Sequence, residues 1–509
     1  MAITRRLLIA VFLIVSTWWC ISRFRLYLRI QIQWEREAKI DDAPIRIPPV
    51  INSDKVQAPT FQSSPSDIWR QTTQLLYEAS PQLKQWMDRP PLKLFIYNTL
   101  AEEFSIEAVS TCINNKYNAD RSNNCDWDPV VCNENSSGTY PYYNLYRTNF
   151  NNDVVLLKRF LRYEHVTKDP NEADLFIVPP YPHKSHCLCQ QKDPNHIMCS
   201  YSYKYIESEI INKMEYFKAH LSKHLFILGS DWALANPPLR KKSILQLSLG
   251  SADGCRKRGK DVSFNCGSLV VPYVNTDVDY QPNSLANLAE SWWLDRPRQY
   301  SLTAIMGTPS HLQVRGELYS NATTLLGEEI GGLPIHLSTS GKNRNLKRHD
   351  VAMHIYRNST FCPVLTGDDC GQKRFFDVIL SGCIPIVLRY SSDEQGWPSW
   401  FRQGACSIRR AYPFGRGAFF NDTNAGIDYT TLVVEIDASC GLGCIKPTLE
   451  NLMMNPDKIR RLRRSLMGAA RLFTYGLDEE SYGYPDAFSA LLVTLRHYST
   501  YVNKENIET

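Results

Sequence analysis

The stretch Phe361–Leu388, FCPVLTGDDCGQKRFFDVILSGCIPIVL, decides the fold. It opens on the short apolar run FCPVL and passes into a polar, glycine-bearing loop, as a buried strand does. A helical pattern follows from Gly371 to Leu380, and Gly382 offers the helix stop. CIPIVL (383–388) then reads as a second strand. Strand, loop, helix, strand at this spacing makes a βαβ unit, with parallel strands and a covering helix. Ligands of such sheets sit at the carboxyl ends of the strands, beside the N-terminus of the next helix. The loop Thr366–Gly371 occupies that place. Gly367 and Gly371 allow the backbone close to a phosphate, and Lys373 stands by the free amides of the helix start. Arg374 and Asp377 are three apart and share a helix face. The cation suits a phosphate and the carboxylate suits ribose hydroxyls, but an intrahelical ion pair on a solvated face fits the spacing equally well.

Outward from this unit, strands and helices alternate. LKLFIYN (92–98), ADLFIV (173–178), HLFILG (224–229) and SLVVPYV (268–274) read as strands, with helices over Asn149–Tyr163 and Glu207–Lys223. After a polar segment at Trp292–Arg298 the pattern restarts with SLTAIMG (301–307), a helix from Gln313 and PIHLST (334–339). Two successive α/β series predict two doubly wound, Rossmann-like domains facing a cleft, over 91–290 and 291–497, with a tail at 498–509. Before them, 35–66 is rich in proline, serine and glutamine and reads as extended chain within a stem of 23–90. Asp67 is the expected N-cap of a stem helix over 67–89 carrying Ile68, Trp69, Leu75, Leu76, Leu83, Trp86 and Met87. That stripe has to pack on the body, or on a partner's stem in a homo- or hetero-oligomer.

The first residues carry an address. After a tail at 1–6 that ends in Arg5 and Arg6, the apolar run Leu7–Ile21 (LLIAVFLIVSTWWCI) begins, and Arg23, Arg25 and Arg29 follow it. Its end in Trp18, Trp19 and Cys20 lacks the small residues of a cleavage site, so 7–22 reads as an uncleaved signal anchor for a thin early-secretory membrane. The body then lies in the lumen. Fifteen cysteines, many in close groups such as Cys187, Cys189 and Cys199 or Cys440 and Cys444, fit an oxidising compartment. The group Cys187–Cys199, with His183, His186 and His196, also has the residue types of a zinc cluster, but no C-x2-C pairs repeat at zinc-finger spacing. Sequons at Asn135, Asn321, Asn358 and Asn421 offer glycosylation sites. The net charge of +5 is dispersed, and the one dense basic run of the body, Lys458–Arg471, has no nucleic-acid motif beside it. It reads as a solvated helix face or as a patch for acidic substrates or polysaccharide.

The central segment resembles the signature of the exostosin-like glycosyltransferases, glycosyltransferase family 47. Its elements appear here as Phe361-Cys362, Gly367, Arg374 with Asp377, and Gly382-Cys383-Ile384-Pro385-Ile386-Val387. KLFIYNTLAEEF, EADLFIVPPY, HLFILGSDWA, VVPYVNTDVDYQP and TAIMGTPSHLQVRGELY are similar to the family's flanking stretches in order and spacing, over about residues 92–495. Val378 departs from the family's usual alanine, and GDDCGQK replaces a proline-rich loop. The resemblance implies a GT-B fold and a Golgi enzyme that moves a sugar, with inversion, from a nucleotide-sugar co-substrate to a polysaccharide or glycoprotein glycan. It places the acceptor on 91–290 and the donor on 291–497. Arg315, Lys373, Arg374 and Asp377 then become donor-site candidates, with Gly367 and Gly371.

Such a reaction needs a base to take the acceptor proton. Glu102, Glu103, His183, His186 and Asp231 stand at strand ends; His183, Asp231 and Glu103 lead this set. Arginine can balance the leaving diphosphate without a metal. Asp277-Val278-Asp279 has D-x-D spacing but follows a strand of the first series, where loop-capping carboxylates are the simpler reading. Two other functions share the anchor and sequons. A sulfotransferase would carry a G-x-x-[RK]-[ST] loop after the first strand, where TLAEEF stands instead; an inactive lectin-like scaffold would have no need of Arg374 and Asp377.

Overall fold

Short runs of three or four residues become parallel strands in the first half of the chain. The computed structural model describes residues 64–97, 152–178, 214–227, 245–248, 268–275, 278–307, 313–339, 349–365, 372–389 and, with short gaps, 412–508. The anchor 7–22, Glu102, Glu103, His183, His186, Asp231, Asp277, Gly367, Gly371, the Cys187–Cys199 group, Asn135 and Asn421 lie outside these residues. Among the described residues no helix is long and apolar enough to cross a membrane.

The first sheet is β1 (Leu94–Ile96), β2 (Leu175–Val178), β3 (His224–Ile227), β4 (Leu245–Ser248) and β5 (Ser268–Val270), all parallel and in that order. β2 and β3 are buried throughout, as expected where both faces are covered. β4 (LQLS) alternates and is too short to stand out in the sequence. The order proceeds in one direction, with no reversal among the described strands.

The second sheet does reverse. It consists of β6 (Tyr300–Met306), β7 (Glu329–Ile330), β8 (Leu333–Thr339), β9 (Ser359–Pro363), β10 (Ile384–Arg389) and β11 (Val434–Asp437), in the order β11-β10-β9-β6-β8-β7. β7 alone is antiparallel. From β6 the chain moves outward to β8 and returns to β9 on the other side, which makes the β6/β9 boundary the topological switch point. Cys362 and Cys383, both fully buried, form a disulfide that ties β9 to the start of β10; Cys440 and Cys444 form a second pair.

Helices frame the sheets. α1 (Pro65–Tyr77) starts at Ser64 rather than at Asp67: the Ser64 hydroxyl accepts from the Asp67 amide, and Asp67 reaches back to the Ser64 amide at 3.3 Å. Asp67 is thus the third residue of a capping box. α2 (Asn152–Leu161) lies within the expected span. The helix expected over Glu207–Lys223 is absent from residues 214–223, which hold turns and the 3-10 segment Leu221–Lys223. There Tyr216 and His220 stack on Phe176. Among the helices that follow are α3 (Glu290–Leu294), α4 (Gln313–Ser320), α5 (His349–Arg357), α6 (Lys373–Leu380), α7 (Pro456–Ala469) and α8 (Ala487–Glu508). α8 absorbs the residues expected as a tail.

α8 also gives the stem stripe its partner. Thr72 bonds Ser489 at 2.8 Å, Tyr77 bonds His497 at 2.8 Å, and Trp86 stacks on His497. Further along, Arg496 pairs with Asp174 at 2.8 Å and Tyr498 donates to the Ser222 carbonyl. The C-terminal helix therefore returns to the first sheet. The described residues all belong to one compact unit that contains both sheets.

Candidate functional site

The switch point is built by α6 and the strand ends beside it. α6 begins at Lys373, two residues beyond the expected start, with Gln372 as N-cap, whose own side chain makes no capping bond to the helix. It ends at Gly382, whose φ of 67° is the left-handed conformation that glycine adopts without penalty. Its apolar face, Phe375, Phe376, Val378 and Ile379, is buried. That packing aims the helix N-terminus, with its partial positive charge, at the carboxyl end of the sheet.

Arg315 on α4 joins the two strands that flank the reversal. One guanidinium nitrogen donates to the Gly307 carbonyl, just past β6, at 3.3 Å; the other donates to the Leu365 carbonyl, just past β9, at 3.2 Å. It also donates to the Gln372 amide oxygen at 3.0 Å, and Gln372 in turn donates to Leu365 at 2.8 Å. Arg374 reaches the same Gln372 oxygen at 3.2 Å. Two guanidinium groups thus converge on one neutral oxygen in front of a helix N-terminus. Arg315 is buried and Arg374 half-buried. Beneath them Tyr356 bonds the Ile305 carbonyl at 3.2 Å. Burial pushes its hydroxyl up to about 12, against the pull of the Arg374 cation.

Asp377 has a different partner from the one its spacing suggests. Its carboxylate accepts from Lys373, one turn earlier, at 2.7 Å, and both side chains are about nine-tenths buried. The same oxygen accepts from Asn275 at 3.1 Å. Asn275 follows β5, so this bond links the end of the first sheet to the helix of the second, and Tyr273 packs on Phe376 next to it. The intrahelical ion pair exists, but it is Lys373–Asp377 and it is buried. Asp377 holds Lys373 and Asn275 in place.

The structure therefore brings together Arg315, Lys373, Arg374 and Asp377. Gln372 and Asn275 complete the arrangement and were not singled out in the sequence; their signal is an amide side chain just before a helix and just after a strand. Asp279 pairs with Arg357 at 3.3 Å, a loop contact. Asn321 is exposed. Asn358 is 9% exposed, accepts from Arg296 at 2.9 Å and bonds His354 at 3.2 Å. Among the described residues no group of three or more His, Cys, Asp or Glu is placed to hold a metal.

Arginine and lysine side chains gathered at a helix start beside the switch point are of the residue types that a phosphorylated ligand needs. Residues 88–400, more than half of the chain, match the family model described as the Exostosin GT47 domain. Among the curated proteins none matches the chain.

Proposed function

The chain belongs to the exostosin GT47 family, a family of glycosyltransferases, and we propose that it transfers a sugar from a nucleotide-sugar donor to a glycan acceptor in the manner of a GT-B enzyme. The donor diphosphate lies at the β6/β9 switch point, against the free amides of α6. Arg315 and Arg374 face it, and as the sugar–phosphate bond breaks they balance the charge left on the diphosphate. Lys373 is fixed by Asp377 and adds positive charge at the same helix start. The acceptor approaches from the first sheet, whose end is marked by Asn275. His183, Asp231 and Glu103 are the candidates for the base that takes the acceptor proton. The nucleotide sugar is a co-substrate, and the arginines do the work that a metal does elsewhere. A Golgi setting, with 7–22 as anchor and the body in the lumen, completes the reading.

The single observation that carries this proposal is the convergence of Arg315 and Arg374 on Gln372 at the N-terminus of α6. An anion placed there meets two guanidinium groups and the positive end of the helix dipole. Thermal melting of the full chain with a panel of nucleotide sugars tests it. A donor is expected to raise the melting midpoint of the wild type and to raise that of Arg374→Ala far less. Equal shifts in both proteins would remove the diphosphate from this place.

A further inference from the structure

The opposite end of the second sheet holds a second concentration of arginine. A cavity of about 380 Å³ opens at the amino ends of the strands. Arg298 precedes β6 and Thr360 lies near the start of β9; Arg296, Arg460 and Arg463 complete a lining of four guanidinium groups against one carboxylate, Asp457. Arg460 pairs with Asp295 at 2.7 Å and Arg296 with the neutral Asn358. Arg460 and its neighbours belong to α7, the basic run of the sequence, and Arg464 pairs with Glu290 at 3.4 Å. α7 thus contributes Asp457, Arg460 and Arg463 to the cavity, while Arg464 is held by Glu290.

The two buried arginines set this cavity apart from a solvated patch. Arg298 and Arg463 are each 8% exposed. Arg298 donates to the carbonyls of Arg357 and Gly382, and Arg463 to that of Leu294 at 3.2 Å. Those contacts cap backbone, but the Nε of each guanidinium has no hydrogen-bond partner among the described residues. Burial, then the charges of Arg463 and Arg296, push Arg298 down to about 9, and burial pushes Arg463 down to about 10. A buried unpartnered donor and a cluster of like charges both cost stability unless something anionic completes them.

We propose that this cavity binds an oxyanion (a phosphate, sulfate or carboxylate group) at a site separated from the sugar-transfer site by the length of the sheet. A seven-residue strand such as β6 spans roughly 20 Å, so one ligand group does not serve both ends. The cavity volume falls within the usual range of small-ligand pockets, about 300–1,000 Å³, and admits one acidic sugar residue or a free inorganic anion. Both sources present the same oxygens to the guanidinium groups.

The test is a titration of the full chain in detergent, followed by thermal melting and calorimetry. Sodium phosphate, sodium sulfate and a uronic-acid disaccharide are compared with sodium chloride at equal ionic strength and with a neutral disaccharide. At least one oxyanion is expected to stabilise the protein beyond chloride. Arg296→Gln and Arg460→Gln, both outside the buried core, are each expected to weaken that binding about tenfold, the effect of one lost charge-assisted contact. Arg374→Ala is expected to retain it. Tighter binding of the uronic-acid disaccharide assigns the site to an acidic glycan, and tighter binding of phosphate or sulfate assigns it to a free ion. Stabilisation no greater than that by chloride overturns the proposal. So does binding that survives both cavity variants or that Arg374→Ala abolishes.

Discussion

The two ends of the second sheet use arginine against opposite ends of helices. At the carboxyl ends of β6 and β9, Arg315 and Arg374 stand before the start of α6, where the helix already presents partial positive charge. At the amino ends, Arg298 caps carbonyls where α5 ends and where the chain leaves α6, so its charge meets partial negative charge. The first arrangement gathers positive charge at a helix start. The second offsets part of its charge within the protein, and only the remainder, shared among Arg296, Arg460 and Arg463, is left for a ligand. Arginine content alone does not distinguish the two ends; the direction of the adjoining helices does.

Four experiments break or sharpen this contrast. The largest effect is expected from Asp377→Ala, which leaves Lys373 buried without its partner. Loss of one member of a buried pair costs about 3–5 kcal/mol, read as a fall in the unfolding midpoint. Were that protein as stable as the wild type, Lys373 would be balanced by something other than Asp377. Arg374→Ala should cost about two to three orders of magnitude in turnover, with a melting midpoint close to that of the wild type. A large loss of stability there would move Arg374 into the structural class that Arg298 represents.

The first sheet holds a buried titratable group of its own. His224 on β3 is fully buried, donates from Nδ1 to the His220 carbonyl at 2.7 Å and accepts from the Tyr97 hydroxyl at 2.9 Å. Burial pushes it down to about 4. The unfolded chain therefore takes up the proton first, at about 6.5. Stability should fall as pH drops from about 6.5 to about 4, by about 3 kcal/mol in total from this residue, and then level off. His220 and His354 are shifted in the same direction and add to the slope. Denaturant midpoints measured across that range check it, and His224→Gln should flatten the curve. An unchanged slope in that variant would assign the acid sensitivity to the other histidines.

The smallest effect is a matter of access. In a lumenal setting Asn321→Gln should remove a glycan and increase gel mobility, whereas Asn358→Gln should leave mobility unchanged. A shift produced by Asn358→Gln would mean that the packing around Arg296 opens.

Much of the fold was legible because buried parallel strands must be short apolar runs. LFI, LFIV, HLFI, SLTAIM and CIPIVL stand out for that reason, and the FCPVL-to-IPIVL unit showed its helix through period and glycine. β4 was hidden because its four residues alternate, and α8 because its apolar residues are spread around the helix by packing on several partners. Strand order was not legible: the reversal at β6/β9 and the one-way winding of the first sheet arise from contacts between residues far apart in sequence. At the site, residue types gave Arg315, Lys373, Arg374 and Asp377. Pairing was another matter, because Arg374 and Lys373 both lie within a turn of Asp377, and only the depth of burial selects Lys373. Asn358 read as a glycan acceptor because a sequon is local, while its burial comes from Arg296 and from the strand that follows it.

The most direct test of the central claim is the affinity of a nucleoside diphosphate, measured by calorimetry on wild type, Arg374→Ala and Arg460→Gln. The account predicts binding at least about tenfold weaker in Arg374→Ala, with its melting midpoint preserved and Arg460→Gln unaffected. Undiminished binding in a folded Arg374→Ala protein, or loss of binding in Arg460→Gln instead, would contradict it.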